Sequence, residues 1–307
     1  MEQDLARKVR EIYSEEQVKQ GEALAKHTTF RIGGPADFFV CPKNIEEIKK
    51  TLLLCKEENL PYYILGNGSN ILAGDQGFRG MIIQIGSKMS DCTWEKQEDG
   101  SSIAVVGAGM LLSKFSKEAA SQSLTGLEFA GGIPGTVGGA VTMNAGAYGG
   151  EIKDCIVDAT VITKDGEVKI LSRDELELGY RSSVIQKEEY IVVEAKFRLQ
   201  AGEQTEILAT MDDLLKKRRE KQPLEYPSAG STVKRPEGYF AGKLIQDADL
   251  RGYRVGDIMV SEKHCGFVVN VGQGTAKDVH QLIEDVQNIV YEKFQVRLEP
   301  EVRFLGE

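Results

Sequence analysis

Two glycine-rich segments contain the residue types from which proteins build loops for phosphate-containing ligands. The first, residues 66–70, reads Gly-Asn-Gly-Ser-Asn and follows a run of residues typical of a strand. Glycine lets successive backbone N–H groups turn towards one point, and such a nest binds oxyanions. A tight turn that uses Asn and Gly for left-handed backbone explains the same residues equally well. The loop alone therefore does not decide between a binding site and a turn.

The second segment, residues 131–149, carries glycine more densely than turns require. It reads Gly-Gly-Ile-Pro-Gly-Thr-Val-Gly-Gly-Ala over 131–140 and Asn-Ala-Gly-Ala-Tyr-Gly over 144–149. Backbone without side chains lets a flat, extended ligand lie against the chain. Pro134 sets the entry, and we expect Thr136 to cap a short helix whose N-terminus faces a phosphate. This segment favours nucleotide binding over simple packing.

Missing patterns exclude several other kinds of site. The chain has no P-loop and no His-Glu-x-x-His motif, and its three histidines are scattered. The Gly-x-Gly pairs at 66–68 and 107–109 lack the third glycine of the dinucleotide fingerprint, since Ile71 and Leu112 occupy its place. His264 and Cys265 are neighbours, but adjacent strand residues point to opposite faces, so we expect a buried thiol there.

Composition narrows the class of protein. The chain has 307 residues and a formal net charge of −9, with 41% hydrophobic and 28% charged residues. Such an acidic chain predicts no nucleic-acid partner and no membrane partner. Five scattered cysteines without a Cys-x-x-Cys unit indicate reduced thiols and no metal site. Residues 1–20 lack the apolar core of a signal peptide, so we predict a cytoplasmic protein.

The elements that must position these segments mix helices and strands without regular alternation, which predicts an α+β fold with a break near residue 200. Apolar periodicity and caps predict helices at 4–20, 45–55 (capped by Asn44), 113–122, 208–219 and from 276 onwards (with a Thr275–Asp278 capping box). Alternation and turn residues predict strands at 36–40, 62–65, 81–85, 103–106, 156–163, 168–171, 190–199 and 302–304.

Seven separated blocks, in family order, resemble the UDP-N-acetylenolpyruvoylglucosamine reductases. They are residues 29–36, 66–70, 132–139, 179–183, 228–236, 261–264 and 298–303. The glycine segments also resemble the flavin-binding fold of the vanillyl-alcohol oxidase type, which binds FAD without a Rossmann fingerprint. The resemblance implies a two-part FAD-binding fold over 1–85 (flavin fold from about 31) and 86–200. A smaller C-terminal α+β substrate-binding domain over 201–307 would follow.

The resemblance implies an NADPH-dependent flavoenzyme of peptidoglycan precursor synthesis. Its reaction reduces the enolpyruvyl ether of UDP-N-acetylglucosamine to UDP-N-acetylmuramate. NADPH is then the co-substrate and the UDP-sugar the small-molecule partner. Neither glycine-rich loop contains a histidine that could tether a flavin, so we expect FAD to be non-covalent. The reaction builds negative charge on the carbon beside the carboxylate, which requires a stabilising cation and one proton.

Three residues match the family's catalytic positions. Arg181, in Gly-Tyr-Arg-Ser-Ser, is implied to grip the carboxylate and stabilise the enolate. Ser231, in Ala-Gly-Ser-Thr, is implied to be the proton donor. Glu301, in Leu-Glu-Pro-Glu-Val-Arg, is implied to assist proton delivery or to polarise the substrate carboxylate.

The same match implies binding residues around these three. The cofactor-binding residues are Arg31, Gly66, Asn67, Gly68, Ser69, Asn70, Gly132, Ile133, Pro134, Gly135, Thr136, Gly138, Gly139, Ala140, Asn144 and Gly146. The substrate-binding residues are Tyr148, Tyr180, Lys234, Arg235 and His264. Arg235 stands where one branch of the family has Asn, and that branch's extra Tyr-bearing loop has no counterpart here. The chain therefore resembles the shorter branch.

Two other functions stay open at this point. A flavin oxidase of the same fold, acting on a sugar or alcohol with O₂, needs a base where Ser231 and Glu301 would supply a proton. A non-catalytic nucleotide-sugar-binding protein, whose glycine loops hold only phosphates, would bind no flavin.

Overall fold

The computed structural model describes residues 2–307, which form two units. Unit 1 comprises residues 2–19, Phe38–Asn67 and Gly80–Lys217, and unit 2 comprises Gln20–Asp37, Gly68–Arg79 and Arg218–Glu307. Both units are discontinuous in sequence, and each has a hydrophobic core of its own.

Helices and strands are mixed along the described chain. The α-helices are α1 (Glu2–Ile12), α2 (Ile45–Glu57), α3 (Leu112–Ser121), α4 (Val137–Thr142), α5 (Val184–Glu188), α6 (Gln204–Lys221), α7 (Ala241–Asp247) and α8 (Ala276–Phe294). Short 3₁₀ helices span Glu15–Gln17, Leu24–Lys26, Ser87–Met89, Glu128–Gly132 and Ile152–Asp154. The strands are β1 (Val18–Ala23), β2 (Pro35–Val40), β3 (Tyr62–Leu65), β4 (Ile71–Ala73), β5 (Phe78–Gln84), β6 (Cys92–Lys96), β7 (Ser102–Gly107), β8 (Leu124–Thr125), β9 (Gly146–Ala147), β10 (Gly150–Glu151), β11 (Ile156–Ile162), β12 (Val168–Ser172), β13 (Ile191–Ala201), β14 (Arg254–Val255), β15 (Ile258–Val260), β16 (Val268–Asn270) and β17 (Arg303–Leu305).

The largest sheet of unit 1 has β13 at its centre. Its strand order is β12-β11-β13-β7-β6, all neighbours are antiparallel, and β8 pairs with the end of β13. The Phe115 ring of α3 packs with its centroid 5.0 Å from that of Phe197 on β13 and 5.7 Å from that of Trp94 on β6. Fully burying an aromatic side chain of this kind stabilises the fold by about 1.5–3 kcal/mol. This core supports the segments that follow β7 and precede β13.

Unit 1 also contains α2 and the parallel pair of β3 and β5. The predicted cap of α2 is confirmed, because Asn44 Oδ1 accepts the backbone N–H of Glu47 at 2.9 Å. β3 ends at Leu65, so the glycine loop at 66–70 directly follows a strand.

Helix α8 supplies much of the core of unit 2. Its buried face includes Leu282, Ile283, Val286 and Val290. The antiparallel strands β14-β15-β16 form a sheet in the same unit, and β17 pairs in parallel with β4. The last pairing joins two parts of the chain that are far apart in sequence.

The α+β prediction is confirmed, and so are most of the long elements that it contained. The Asp165-Gly166 hairpin is present, with Ile162 opposite Val168. The helix expected over 4–20 is wrong beyond Ile12. Ser14 has extended backbone and caps a separate 3₁₀ turn, and Val18–Ala23 is a strand. The short strands β14–β16 and helix α7 were not predicted, because two to seven residues are too few to show a period.

None of the helices within residues 2–307 has the length and apolar character needed to cross a membrane.

We expect Thr275→Ala to lower the free energy of unfolding by about 1 kcal/mol, the usual effect of losing an N-cap. Thr275 Oγ1 accepts the N–H of Asp278 at 3.1 Å, and the Asp278 carboxylate accepts the N–H of Thr275 at 3.0 Å. Urea denaturation measures the change, and Thr275→Ser, which keeps the hydroxyl, is the matched control. Equal stabilities of the two variants would contradict a capping role.

Candidate functional site

The second glycine segment forms the start of α4 in unit 1. Thr136 Oγ1 accepts the N–H of Gly139 at 3.3 Å, so the predicted cap is confirmed. The N–H of Gly138 donates to the carbonyl of Ala108 at 2.8 Å. A Cβ added to Gly138 would lie 2.9 Å from the Cβ of Ala108. Glycine is needed here because the helix starts directly against the chain that leaves β7.

The two glycine segments meet within unit 1. Asn67 Nδ2 donates to the carbonyl of Pro134 at 2.5 Å. A Cβ added to Gly66 would lie 2.6 Å from Oγ1 of Thr136. The sequence analysis assigned both segments to one site but did not predict that they touch. The close approach of Gly66 to Thr136 requires that position 66 has no side chain.

The rest of the first loop belongs to unit 2. Gly68 has φ +60°, and its carbonyl accepts the N–H of Thr29 at 3.1 Å. A Cβ added there would lie 2.0 Å from the carbonyl oxygen of His27. Within the part of the chain that the structure describes, none of the three N–H groups from Gly68 to Asn70 donates to a protein acceptor. Such a run of unpaired donors at a strand end matches an anion-binding nest.

Asn70 connects this loop to the segment that carries Glu301. Its Nδ2 donates to the carbonyl of Glu301 at 3.1 Å, and its own carbonyl accepts the N–H of Arg303 at 2.9 Å. The N–H of Glu301 in turn donates to the carbonyl of Thr232 at 2.8 Å, next to Ser231. Direct hydrogen bonds in unit 2 therefore connect the loop, the serine segment and the glutamate segment.

Two further sequence blocks belong to the same cluster in unit 2. Thr29 Oγ1 donates to the carbonyl of Ser228 at 2.7 Å. Arg31 is exposed at φ +58°, in a turn closed by its N–H and the carbonyl of Thr28 at 3.2 Å. The 261–264 block is connected to the serine segment through Gly266, whose N–H donates to His264 Nδ1 at 3.1 Å and whose carbonyl accepts the N–H of Thr232 at 2.9 Å.

Arg181 lies in unit 1, in a two-residue turn. Gly179 and Ser182 exchange two backbone hydrogen bonds, of 3.1 and 3.3 Å, and Arg181 has φ +52°. The guanidinium lies 5.6 Å from the ring centroid of Tyr180, and its Nη1 is 3.5 Å from the carbonyl of Gly146. The turn thus brings Arg181 to the glycine segment of the same unit, and Tyr180 remains 59% exposed.

Tyr148 stands at the tip of the β9–β10 hairpin in unit 1. Tyr148 and Gly149 both have positive φ, +54° and +91°, as the two central residues of a type I′ turn require. The turn leaves the tyrosine ring 44% exposed. An exposed aromatic ring on a short hairpin is free to contact a ligand.

The cations predicted for the substrate are exposed in unit 2. Lys234 Nζ forms an ion pair with Glu299 Oε2 at 3.1 Å. The Arg235 guanidinium lies 4.0 Å from the centroid of the Phe240 ring, and its Nε donates to the carbonyl of Tyr239 at 3.3 Å. The sequence did not predict this stacking, since exposed aromatics gave no pattern there.

His264 is half-buried, and burial lowers the pKa of its imidazole below 6.5. Its Nδ1 accepts the N–H of Gly266 at 3.1 Å, which requires a lone pair on that nitrogen. The neutral ring then carries its proton on Nε2 and presents a donor. Burial raises the pKa of the adjacent Cys265 thiol and disfavours its thiolate, so a Cys–His nucleophile is unsupported.

The chain matches known protein families over most of its length. Residues 36–172 match the family described as "FAD binding domain", and residues 222–305 match "UDP-N-acetylenolpyruvoylglucosamine reductase, C-terminal domain". A curated UDP-N-acetylenolpyruvoylglucosamine reductase of Lachnoclostridium phytofermentans is 57% identical over 303 residues, which cover 99% of this chain and 97% of that protein. The reductase of Agathobacter rectalis is 54% identical over all of both chains.

A solved structure agrees with these sequence matches. The crystal structure of the reductase from Thermus caldophilus aligns with a TM-score of 0.80 and 36% identity. The alignment covers 94% of this chain and 99% of that one.

We expect Gly68→Ala to destabilise the protein more than Gly21→Ala. Both glycines lie in unit 2 with φ near +60°, so both variants incur the left-handed cost of about 1–2 kcal/mol. Only the Gly68 variant also forces a Cβ into the His27 carbonyl, because nothing lies within 4 Å of a Cβ at Gly21. We expect this overlap to add about 1–3 kcal/mol, measurable by urea denaturation. Equal losses of unfolding free energy in the two variants would show that the contact of the added Cβ with the His27 carbonyl has no cost.

We expect His264 to titrate below pH 6.5 in the folded protein, because burial disfavours its charged form. The unfolded chain then binds a proton first as the pH falls, so this group reduces stability from about pH 6.5 downwards. NMR titration of the imidazole resonances measures the pKa, and His264→Gln identifies the signal. A pKa at or above 6.5 would contradict the buried, neutral ring.

Proposed function

Because the chain belongs to the UDP-N-acetylenolpyruvoylglucosamine reductase family, we propose that it reduces the enolpyruvyl ether of UDP-N-acetylglucosamine to UDP-N-acetylmuramate with NADPH. The observation that carries this proposal is the cluster in unit 2. There, the loop from Gly68 to Asn70, whose three N–H groups have no acceptor within residues 2–307, is hydrogen-bonded to the segment of Glu301. That segment is bonded in turn to the segment of Ser231. A place in peptidoglycan precursor synthesis and in the cytoplasm follows from the nucleotide-sugar substrate.

The residues present fit FAD as the cofactor. The donors from Gly68 to Asn70 suit a pyrophosphate, and the side-chain-free surface at Gly132, Gly135 and Gly139 suits a flat ligand. When bound, FAD supplies the redox chemistry, in which a hydride is taken from NADPH and delivered to the vinyl carbon of the substrate. We expect it to dissociate on denaturation, because neither loop contains a histidine.

Arg181 is proposed to bind the substrate carboxylate. A guanidinium forks onto two carboxylate oxygens and stabilises negative charge that spreads from the adjacent carbon. The left-handed backbone of Arg181 in a tight turn supports this role, since strained backbone is kept where surrounding structure enforces it.

Ser231 is proposed to donate the proton and Glu301 to assist it. A hydroxyl is small enough to stand beside the reacting carbon, and a positioned donor contributes about 10²–10⁴-fold to such a step. The Thr232 carbonyl accepts the N–H groups of both Glu301 and Val302, at 2.8 and 3.4 Å, which fixes the two segments side by side. Both side chains are only partly exposed.

The UDP moiety is proposed to contact the exposed cations of unit 2. Lys234 and Arg235 neutralise phosphate charge on an acidic protein, and neutral His264 donates from Nε2 to the sugar. Tyr148 and Tyr180 are proposed to cover the substrate. We likewise propose that FAD binding resides in residues 1–85 and 86–200 and substrate binding in 201–307, a functional division distinct from the two units.

We expect Ser231→Ala to leave flavin reduction by NADPH largely intact and to slow the following step by about 10²-fold or more. Anaerobic stopped-flow absorbance measures both phases, first with NADPH and then with the enolpyruvyl UDP-sugar. Ser87→Ala, which alters an exposed serine of unit 1, is the control.

Three outcomes would contradict the proposal. Normal turnover of Ser231→Ala would remove Ser231 from the mechanism. Reduction of the wild-type flavin by a sugar or alcohol, followed by its reoxidation by O₂ but not by the enol ether, would indicate an oxidase. Lack of yellow absorbance after addition of FAD would favour a nucleotide-sugar-binding protein.

A further inference from the structure

Asn144 is buried, and both the NH₂ group and the oxygen of its side-chain amide form hydrogen bonds with protein atoms. It is 2% exposed and has φ +41°. Its Nδ2 donates to Glu151 Oε2 at 2.6 Å and to the carbonyl of Gly179 at 3.1 Å. Its Oδ1 accepts the N–H of Lys153 at 3.0 Å. Both amide protons and the carbonyl oxygen are thus in use.

These bonds hold the turn that carries Arg181. Gly179 opens that turn, so the Asn144 amide fixes its first carbonyl. The carbonyl of Thr142, at the end of α4, accepts from Ser183 Oγ at 2.7 Å and from Gln186 Nε2 at 2.6 Å. The second glycine segment therefore contacts the chain on both sides of Arg181, at Gly179 before it and at Ser183 and Gln186 after it.

Glu151 completes the arrangement from β10. It accepts from Asn144 through one oxygen, and its other oxygen forms a 2.6 Å ion pair with Lys153. The same contact raises the pKa of the Lys153 ammonium. The ion pair with Lys153 thereby orients the Glu151 carboxylate so that its other oxygen accepts from Asn144.

We infer that Asn144 and Glu151 are positioning residues that fix the Gly179–Ser182 turn, and with it the Arg181 guanidinium. This assignment differs from the cofactor contact predicted for Asn144 and rests on the proposed role of Arg181. The reason for asparagine is specific: the site needs two donors facing two acceptors, and a left-handed backbone that asparagine tolerates well.

The test is Asn144→Asp, which keeps the shape and replaces the donor by an oxygen facing Glu151 and Gly179. We expect flavin content and the NADPH step to stay within about threefold of wild type. The substrate-dependent reoxidation should fall by about 10²-fold, the effect of a misplaced reacting group. The double variant Asn144→Asp/Glu151→Gln returns a donor to the pair, and we expect it to recover at least about tenfold of that loss.

A matched control separates this effect from added charge. Asn59→Asp makes the same change at an exposed left-handed asparagine of unit 1, with φ +50°, and should behave as wild type. Should Asn144→Asp not fold, Glu151→Leu removes the acceptor at a side chain that is 30% exposed. That variant should slow reoxidation by about tenfold, and Glu151→Gln should not.

Each result is decisive for the positioning role. Loss of flavin together with both steps would overturn it in favour of a cofactor contact. Unchanged reoxidation in Asn144→Asp, or no recovery in the double variant, would also overturn it. If the wild-type flavin is not reoxidised by the enolpyruvyl UDP-sugar, the proposed function fails instead.

Discussion

Three consecutive backbone N–H groups, from Gly68 to Asn70, have no acceptor among residues 2–307, and the candidate site in unit 2 depends on this constraint. Folded chains give almost all of their buried backbone N–H groups a hydrogen-bond acceptor. A run of N–H groups without a protein acceptor therefore donates to water or to a ligand. Asn70 holds the run in place by bonding the Glu301 segment through both its side chain and its backbone. The geometry of unit 2 thereby couples this loop, proposed to bind a phosphate, to the residues proposed to deliver a proton.

In unit 1, two of the residues proposed to bind substrate have strained backbone. Arg181 and Tyr148 are both non-glycine residues with positive φ in two-residue turns: Tyr148 lies within the second glycine segment, and Arg181 contacts it through Gly146. Such conformations persist only where neighbours enforce them. The buried amide of Asn144 and the Thr142 carbonyl supply that enforcement for Arg181. Glycine at 138 and 146 allows the close packing on which these contacts rest.

Local patterns predicted the elements whose cause is local. The Asn44 cap, the Thr275–Asp278 box and the Asp165-Gly166 hairpin each depend on a few adjacent residues, and all are present. The proposed catalytic and binding residues were identified by resemblance, because no spacing pattern in the sequence links residue 70 to residue 301. The hydrogen bond from Asn144 to Gly179 was not predicted for the same reason, because the two residues are 35 positions apart. The sequence also did not predict that each unit is built from three separate segments, because long-range pairing leaves no periodic pattern in the sequence.

The parallel pairing of β17 with β4 bears on how the chain emerges from the ribosome. Asn70 and Glu301 are 231 positions apart, so the first of these segments is synthesised long before its partner. At ~5–20 residues per second, that interval is roughly 10–50 s. Unit 1 ends at Lys217, so all of it is synthesised before the last strand, whereas β4 has no partner strand until β17 has been made. Nascent chains therefore pass through a stage in which β4 exposes unpaired backbone hydrogen-bonding groups, the feature by which an edge strand pairs with another chain.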